Sequence, residues 1–120
     1  MRKKRSAPRF HSLVLKTELD IGGEKRDGFL TNLSRAGGFL AMDNPPADGT
    51  ELDVWALLPW GLGELRARAR VVWGNERATL DDGRATIAGV GIAFTELGSG
   101  SAELLERYLT RFAKFAAQID

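Results

Sequence analysis

Two guanidinium groups stand at a fixed interval near the start of the chain, Arg5 and Arg9 in RKKRSAPRF, residues 2–10, with Pro8 between them. Pro8 stiffens the backbone and disfavours helix at Ala7, so the two side chains can reach together from an extended arm. Guanidinium is planar, permanently charged and carries a fork of donors, which suits it to phosphate oxygens and to the acceptor edge of guanine. A second polar stretch, NLSRAGG at residues 32–38, is uncharged apart from Arg35. Asn32 offers amide donors and a carbonyl acceptor, Ser34 adds a hydroxyl, and Gly37 and Gly38 let backbone approach a ligand without side-chain obstruction. Alone, each stretch has an ordinary explanation, one as a solvated tail and the other as a turn. Taken together they supply a cationic half and a neutral half of one site.

The composition makes such a site local. Lys and Arg total 17 against 16 Asp and Glu in 120 residues, a net charge of +1, so there is no broad basic field for nucleic acid or an anionic membrane. Zero cysteines exclude disulfides and thiolate nucleophiles and fit a reducing compartment, and His11 is the one imidazole. Ser6, Pro8, Arg9 and His11 interrupt the apolar run that a signal peptide would need, and no stretch approaches the roughly 18 apolar residues of a membrane-spanning helix. The expectation is a soluble, cytoplasmic protein of one domain, with no membrane insertion.

The elements that must position the two stretches follow from periodicity. HSLVLKTEL, residues 11–19, reads as a first strand with Leu13, Leu15 and Thr17 on one face, and Gly22-Gly23 as its turn. KRDGFLTNLS and GGFLAM give two more strands around the glycine-rich step, and DNPPADG is a loop. ELDVWALLP and LRARARVVW form a hairpin across WGLGE, with Arg66, Arg68 and Arg70 on one face and Leu65, Ala67, Ala69 and Val71 on the other. ATIAGVGIAF, residues 85–94, is a final strand after a polar loop. From Ser101 the period changes: Leu104, Leu105, Tyr108, Leu109, Phe112 and Phe115 mark an amphipathic helix over about 101–118, capped by Ser99 or Ser101, with a Glu103–Arg107 pair. Six or seven short strands and one helix make an all-β dominated fold, a small antiparallel β-barrel with the helix packed against it. Residues 1–10 are expected to form a flexible basic arm and 11–120 the barrel domain.

Other chemistry finds little support. His11 has no recognisable partner, and Asp81 and Asp82 read better as solvated turn residues than as a catalytic pair. The glycines of GVGIAF sit inside a β-like run and open no helix, so they serve strand packing and not phosphate binding. Phe29, Phe39, Trp55 and Trp73 are candidates for a stacking platform for single-stranded nucleic acid, but most fall on alternating positions expected to be core. Nothing supplies an activated nucleophile or a proton-transfer pair, and the protein is expected not to be an enzyme.

The pair of motifs resembles the PilZ domain family, bacterial receptors for the second messenger cyclic dimeric GMP. The family signature is R-x-x-x-R in an N-terminal arm and, beyond one strand, [D/N]-x-S-x-x-G at a strand-loop junction. RSAPR, residues 5–9, and NLSRAG, residues 32–37, match it, and GGFLAM, ELDVWALLP, ARVVW and GVGIAF follow in the family's order. The resemblance implies a six-stranded barrel with a C-terminal helix, no catalysis and no cofactor, with cyclic dimeric GMP (cyclic di-GMP) as ligand. It implies that Arg5 and Arg9 bind the phosphates and stack on or hydrogen-bond the guanines, that Asn32 and Ser34 contact guanine edges and phosphate, and that Gly37, with Gly38 beside it, keeps the surface clear. Lys4 occupies a position that in the family influences whether one ligand or a stacked pair is bound. Arg35 stands open between a further phosphate cation and an exposed loop arginine without ligand contact. The output would pass to a downstream protein partner controlling motility, surface polysaccharide and biofilm, or secretion. The alternatives are a barrel that acts as a structural adaptor without nucleotide, and a basic arm that binds nucleic acid or anionic surfaces nonspecifically.

Overall fold

The computed structural model describes residues 13–75, 79–81 and 84–119. The arm at 1–10, His11, and Asp82 of the acidic pair lie outside the described residues. Among the described residues eight strands precede one helix: β1 Leu15–Ile21, β2 Glu24–Thr31, β3 Gly37–Ala41, β4 Glu51–Leu58, β5 Gly63–Asn75, β6 Thr79–Asp81, β7 Arg84–Thr86, β8 Gly89–Leu97 and α1 Ser101–Ile119. Six of them close a barrel in the order β1-β2-β3-β8-β5-β4, every pairing antiparallel, while β6 and β7 form a separate two-stranded ribbon.

Alternation along β1, β4 and the first part of β5 decides much of what the barrel encloses, while β8 is buried without alternation from Gly89 to Ile92. Leu15, Thr17 and Leu19 of β1 point inward, as do Leu52, Val54, Ala56 and Leu58 of β4 and Leu65, Ala67, Ala69 and Val71 of β5. Thr17 is 1% exposed, and its hydroxyl is satisfied by donating to the Leu15 carbonyl oxygen at 2.8 Å. The arginine face of β5 is turned to water, where Arg68 pairs with Asp53 on the neighbouring strand at 3.2 Å.

The aromatic residues depart from expectation. Phe29 and Trp73 are half-exposed at 49% and 48%, and Phe39 and Trp55 are only partly buried. A period of two defines two faces but not which one is interior, and here the leucines and small residues take the inside: Leu30 beside Phe29, Leu40 beside Phe39, Val54 and Ala56 around Trp55. The lumen of a small barrel has room for aliphatic side chains in layers, and the rings are left outside. Trp73 stacks on Phe39 with ring centroids 5.6 Å apart and lies over Gly91, where a Cβ would overlap its indole nitrogen. The glycines of GVGIAF thus serve packing, as their place inside a β-like run indicated.

Strand limits also shift. The first strand starts at Leu15 and runs on to Ile21, and the last β-like run divides at Ile87 and Ala88 into β7 and β8. The division arises because β3 ends at Ala41: there the Met42 N–H bonds to the Ala88 carbonyl at 3.1 Å, and the chain before it pairs with β6 instead of the barrel.

Three features fix α1 on the barrel. Its start is tied to β5, since Ser101, 1% exposed, accepts the Arg66 N–H on its hydroxyl at 2.9 Å. That hydroxyl therefore serves the barrel, and the first i to i−4 bond of the helix runs from the Leu104 N–H to the Gly100 carbonyl at 3.1 Å. Leu105 and Tyr108 bury one stripe of the helix against the core. In the β4–β5 turn Trp60 and Gly61 both have positive φ, 62° and 68°, as a type I′ turn requires. A tryptophan in this region is strained. Its ring is held by α1, 5.8 Å from Tyr108 and 6.2 Å from Phe115, with the Arg111 guanidinium 5.7 Å from its centroid.

Candidate ligand-binding site

The neutral motif forms the loop between β2 and β3. Asn32 ends β2 by turning to φ 51°, a left-handed conformation that asparagine tolerates better than most residues. Leu33 then packs against the core, and the residues on either side of it, Asn32 and Ser34, are exposed. The loop is braced from within. The Ser34 N–H donates to the Gly37 carbonyl at 2.8 Å, and its hydroxyl donates to the same oxygen at 3.3 Å while accepting the Ala36 N–H at 3.2 Å. The Ala36 carbonyl accepts the Phe94 N–H of β8 at 2.8 Å, anchoring the loop to the barrel wall. Ser34 thus shapes the turn and keeps acceptor capacity toward solvent.

Both glycines are required by the barrel itself. Gly37 is buried at φ 155°, and a Cβ there would overlap the Ile92 carbonyl oxygen across the β3–β8 pair. At Gly38 a Cβ would stand 2.9 Å from the Thr31 carbonyl oxygen. Close strand packing therefore explains these two residues whatever occupies the loop.

Arg35 has a partner the sequence did not reveal. Its Nε and Nη2 donate to the two carboxylate oxygens of Glu106 on α1, the second bond at 2.8 Å. The hydrogen bond and the charge of Glu106 raise the Arg35 pKa, and the same bond holds the Glu106 carboxyl below its ordinary value. Of the two open readings of Arg35, a phosphate cation or a loop arginine, the geometry adds a third role: it joins the motif loop to the helix.

Between that loop and α1 lies a groove of about 560 Å³ lined by Ser34, Arg35, Leu109, Thr110, Ala113 and Lys114. The structure brings Asn32, Ser34 and Arg35 together in the β2–β3 loop with Gly37 and Gly38 at the start of β3, while Lys4, Arg5 and Arg9 lie outside the described residues. That Thr110 and Lys114 line this groove and that Glu106 bonds Arg35 was not readable beforehand, because the polar positions of an amphipathic helix read as solvent-facing. Periodicity does not say which loop they stand beside.

A closed six-stranded antiparallel barrel carrying a C-terminal helix and an N-x-S-x-x-G loop defines the class to which comparison can be made. The PilZ domain model matches residues 3–111, and the chain belongs to the PilZ domain family. Among solved structures it is similar to the PilZ domain with c-di-GMP of YcgR from Escherichia coli, at 14% identity and TM-score 0.67, covering 94% of this chain and 90% of that one. It is also similar to the Bacillus subtilis inhibitor of motility MotI/DgrA, at 18% identity and TM-score 0.63, covering 85% of this chain. The match spans about half of that second protein, 48% of its chain. No curated protein matches the sequence. Identities this low speak for the shared fold. No described helix is long and apolar enough to cross a membrane.

Proposed function

We propose that this protein is a non-catalytic receptor for cyclic dimeric GMP, and that Arg5 and Arg9 close over a ligand seated on the loop of Asn32 and Ser34. The observation that carries the reading is the loop: exposed Asn32 and Ser34 on a braced turn, directly after β2, at the required distance in sequence from an R-x-x-x-R arm. Membership of the PilZ family and likeness to a domain whose structure contains c-di-GMP support it.

The chemistry suits such a ligand. Two phosphates call for cations that also stack, and two guanine edges call for neutral donors and acceptors. Lys4 adds charge beside Arg5, and Gly37 and Gly38 leave the loop surface low. Ordering the arm consumes part of the binding energy, and the altered surface is what a downstream protein, cytoplasmic like the receptor, would read. Control of motility is one such output.

Isothermal titration of the full chain with cyclic dimeric GMP tests the proposal, with GTP and single-stranded DNA as competitors. Saturable binding that neither competitor displaces is the expected result. Displacement by both, with steep salt dependence, would instead mark the arm as a nonspecific anion binder. Absence of binding would favour the adaptor reading, for which the exposed Phe29, Val72, Trp73 and Ile87 provide apolar surface.

A further inference from the structure

The groove between the β2–β3 loop and α1 has the composition of an anion site. Its walls carry one cation each, Arg35 from the loop and Lys114 from the helix, together with the hydroxyls of Ser34 and Thr110. No carboxylate is among its lining residues, and Glu103 and Glu106 line the adjacent depression on the other side of Thr110 and Lys114. Leu109 and Ala113 give the groove an apolar floor on which a flat base can lie. Its volume, about 560 Å³, falls within the range of small-molecule sites.

The two cations remain available to a ligand. Glu106 takes the Nε and Nη2 edge of Arg35 and leaves the Nη1 donors without a partner among the described residues. Lys114 forms no ion pair among the described residues, unlike Lys25, whose ammonium lies 3.3 Å from Asp20. Glu106, Thr110 and Lys114 stand one helical turn apart in succession, on one side of α1. The helix cannot drift from the loop without breaking the Arg35–Glu106 bonds, the Ser101 tie to β5, or the contacts of Trp60 with Tyr108 and Phe115.

We propose that this groove is the helix-side wall of the nucleotide site, with Lys114 and Thr110 binding ligand phosphate opposite the motif loop and Glu106 acting as a positioning residue for Arg35. The inference rests on the receptor reading above and extends it to an element that carries neither family motif. Lys114 then contributes a charge-assisted hydrogen bond that its arginine replacement can also make.

Calorimetry with cyclic dimeric GMP at low and moderate salt tests this on the full chain. Lys114→Ala should bind about tenfold more weakly, with a shallower salt dependence, while Lys114→Arg stays near the unaltered protein. Lys25→Ala, at a distant surface lysine, should change nothing. Undiminished affinity in Lys114→Ala, in a protein that binds the nucleotide, would overturn the helix-side wall and leave the receptor reading intact. An equal loss in Lys25→Ala would also overturn it, by marking a general charge effect. Failure of the unaltered protein to bind would overturn both readings together.

Discussion

Arg35 and Glu106, 71 residues apart in sequence, are joined by two hydrogen bonds that connect the ligand-motif loop to the C-terminal helix. Both side chains are half or more exposed, so the pair adds little to stability. Its consequence is positional: it sets the loop that holds Asn32 and Ser34 beside the helix that holds Thr110 and Lys114.

The pair makes a titration prediction. Glu106 is held below its ordinary carboxylate pKa of 4.5 by the Arg35 hydrogen bond. Its folded pKa is depressed, so the stabilisation is present above the unfolded value and is lost as pH falls through the folded one. Carboxyl NMR should place the Glu106 midpoint below that of a free glutamate, and Arg35→Ala should return it to the ordinary value. A midpoint that Arg35→Ala does not move would contradict the contact.

Gly37 tests whether the motif glycine serves the barrel. Alanine there must displace the Ile92 carbonyl across the β3–β8 pair and accept φ near 155°. The expected cost is about 2 to 4 kcal/mol in urea unfolding. A fully stable Gly37→Ala protein would show that the strands separate easily at this point.

Trp60 tests what holds the second half of α1. Trp60→Ala keeps the strained turn and removes the ring that meets Tyr108, Phe115 and Arg111. A loss of about 1 to 2 kcal/mol is expected, with faster amide exchange in the helix from Tyr108 onward. Unchanged exchange there would mean that the core contacts of Leu105 and Tyr108 suffice.

The interior leucines set the scale for these effects. Leu30→Ala, at a side chain with no exposure, is expected to cost about 2 to 5 kcal/mol in the same urea measurement. A loss under 1 kcal/mol would show that the lumen collapses around the cavity.

Much of the fold was legible because β1, β4 and the first part of β5 alternate. In LRARARVVW the arginines could only face water, and β5 places them there. The same alternation misplaced Phe29, Phe39 and Trp55, since it separates two faces without ranking them, and lumen volume decided the ranking; Trp73, of the same parity as the buried Val71, is turned outward by the β5 irregularity between the two. The break at Ile87 and Ala88 was hidden because it depends on where β3 ends, which is a tertiary fact. In the site, Asn32, Ser34 and the glycines were readable as a local motif. The placement of Glu106, Thr110 and Lys114 beside that motif was not, because they lie far along the chain on an element whose polar face carries no record of its neighbour.

The most direct measurement is calorimetric titration of Arg5→Ala and Arg9→Ala with cyclic dimeric GMP, beside the unaltered chain and with thermal unfolding run on each. Binding by the unaltered protein, a loss of at least about tenfold in both variants, and unfolding midpoints that stay together are the predicted results. Undiminished affinity in both variants would contradict the assignment of a receptor site closed by the two arginines.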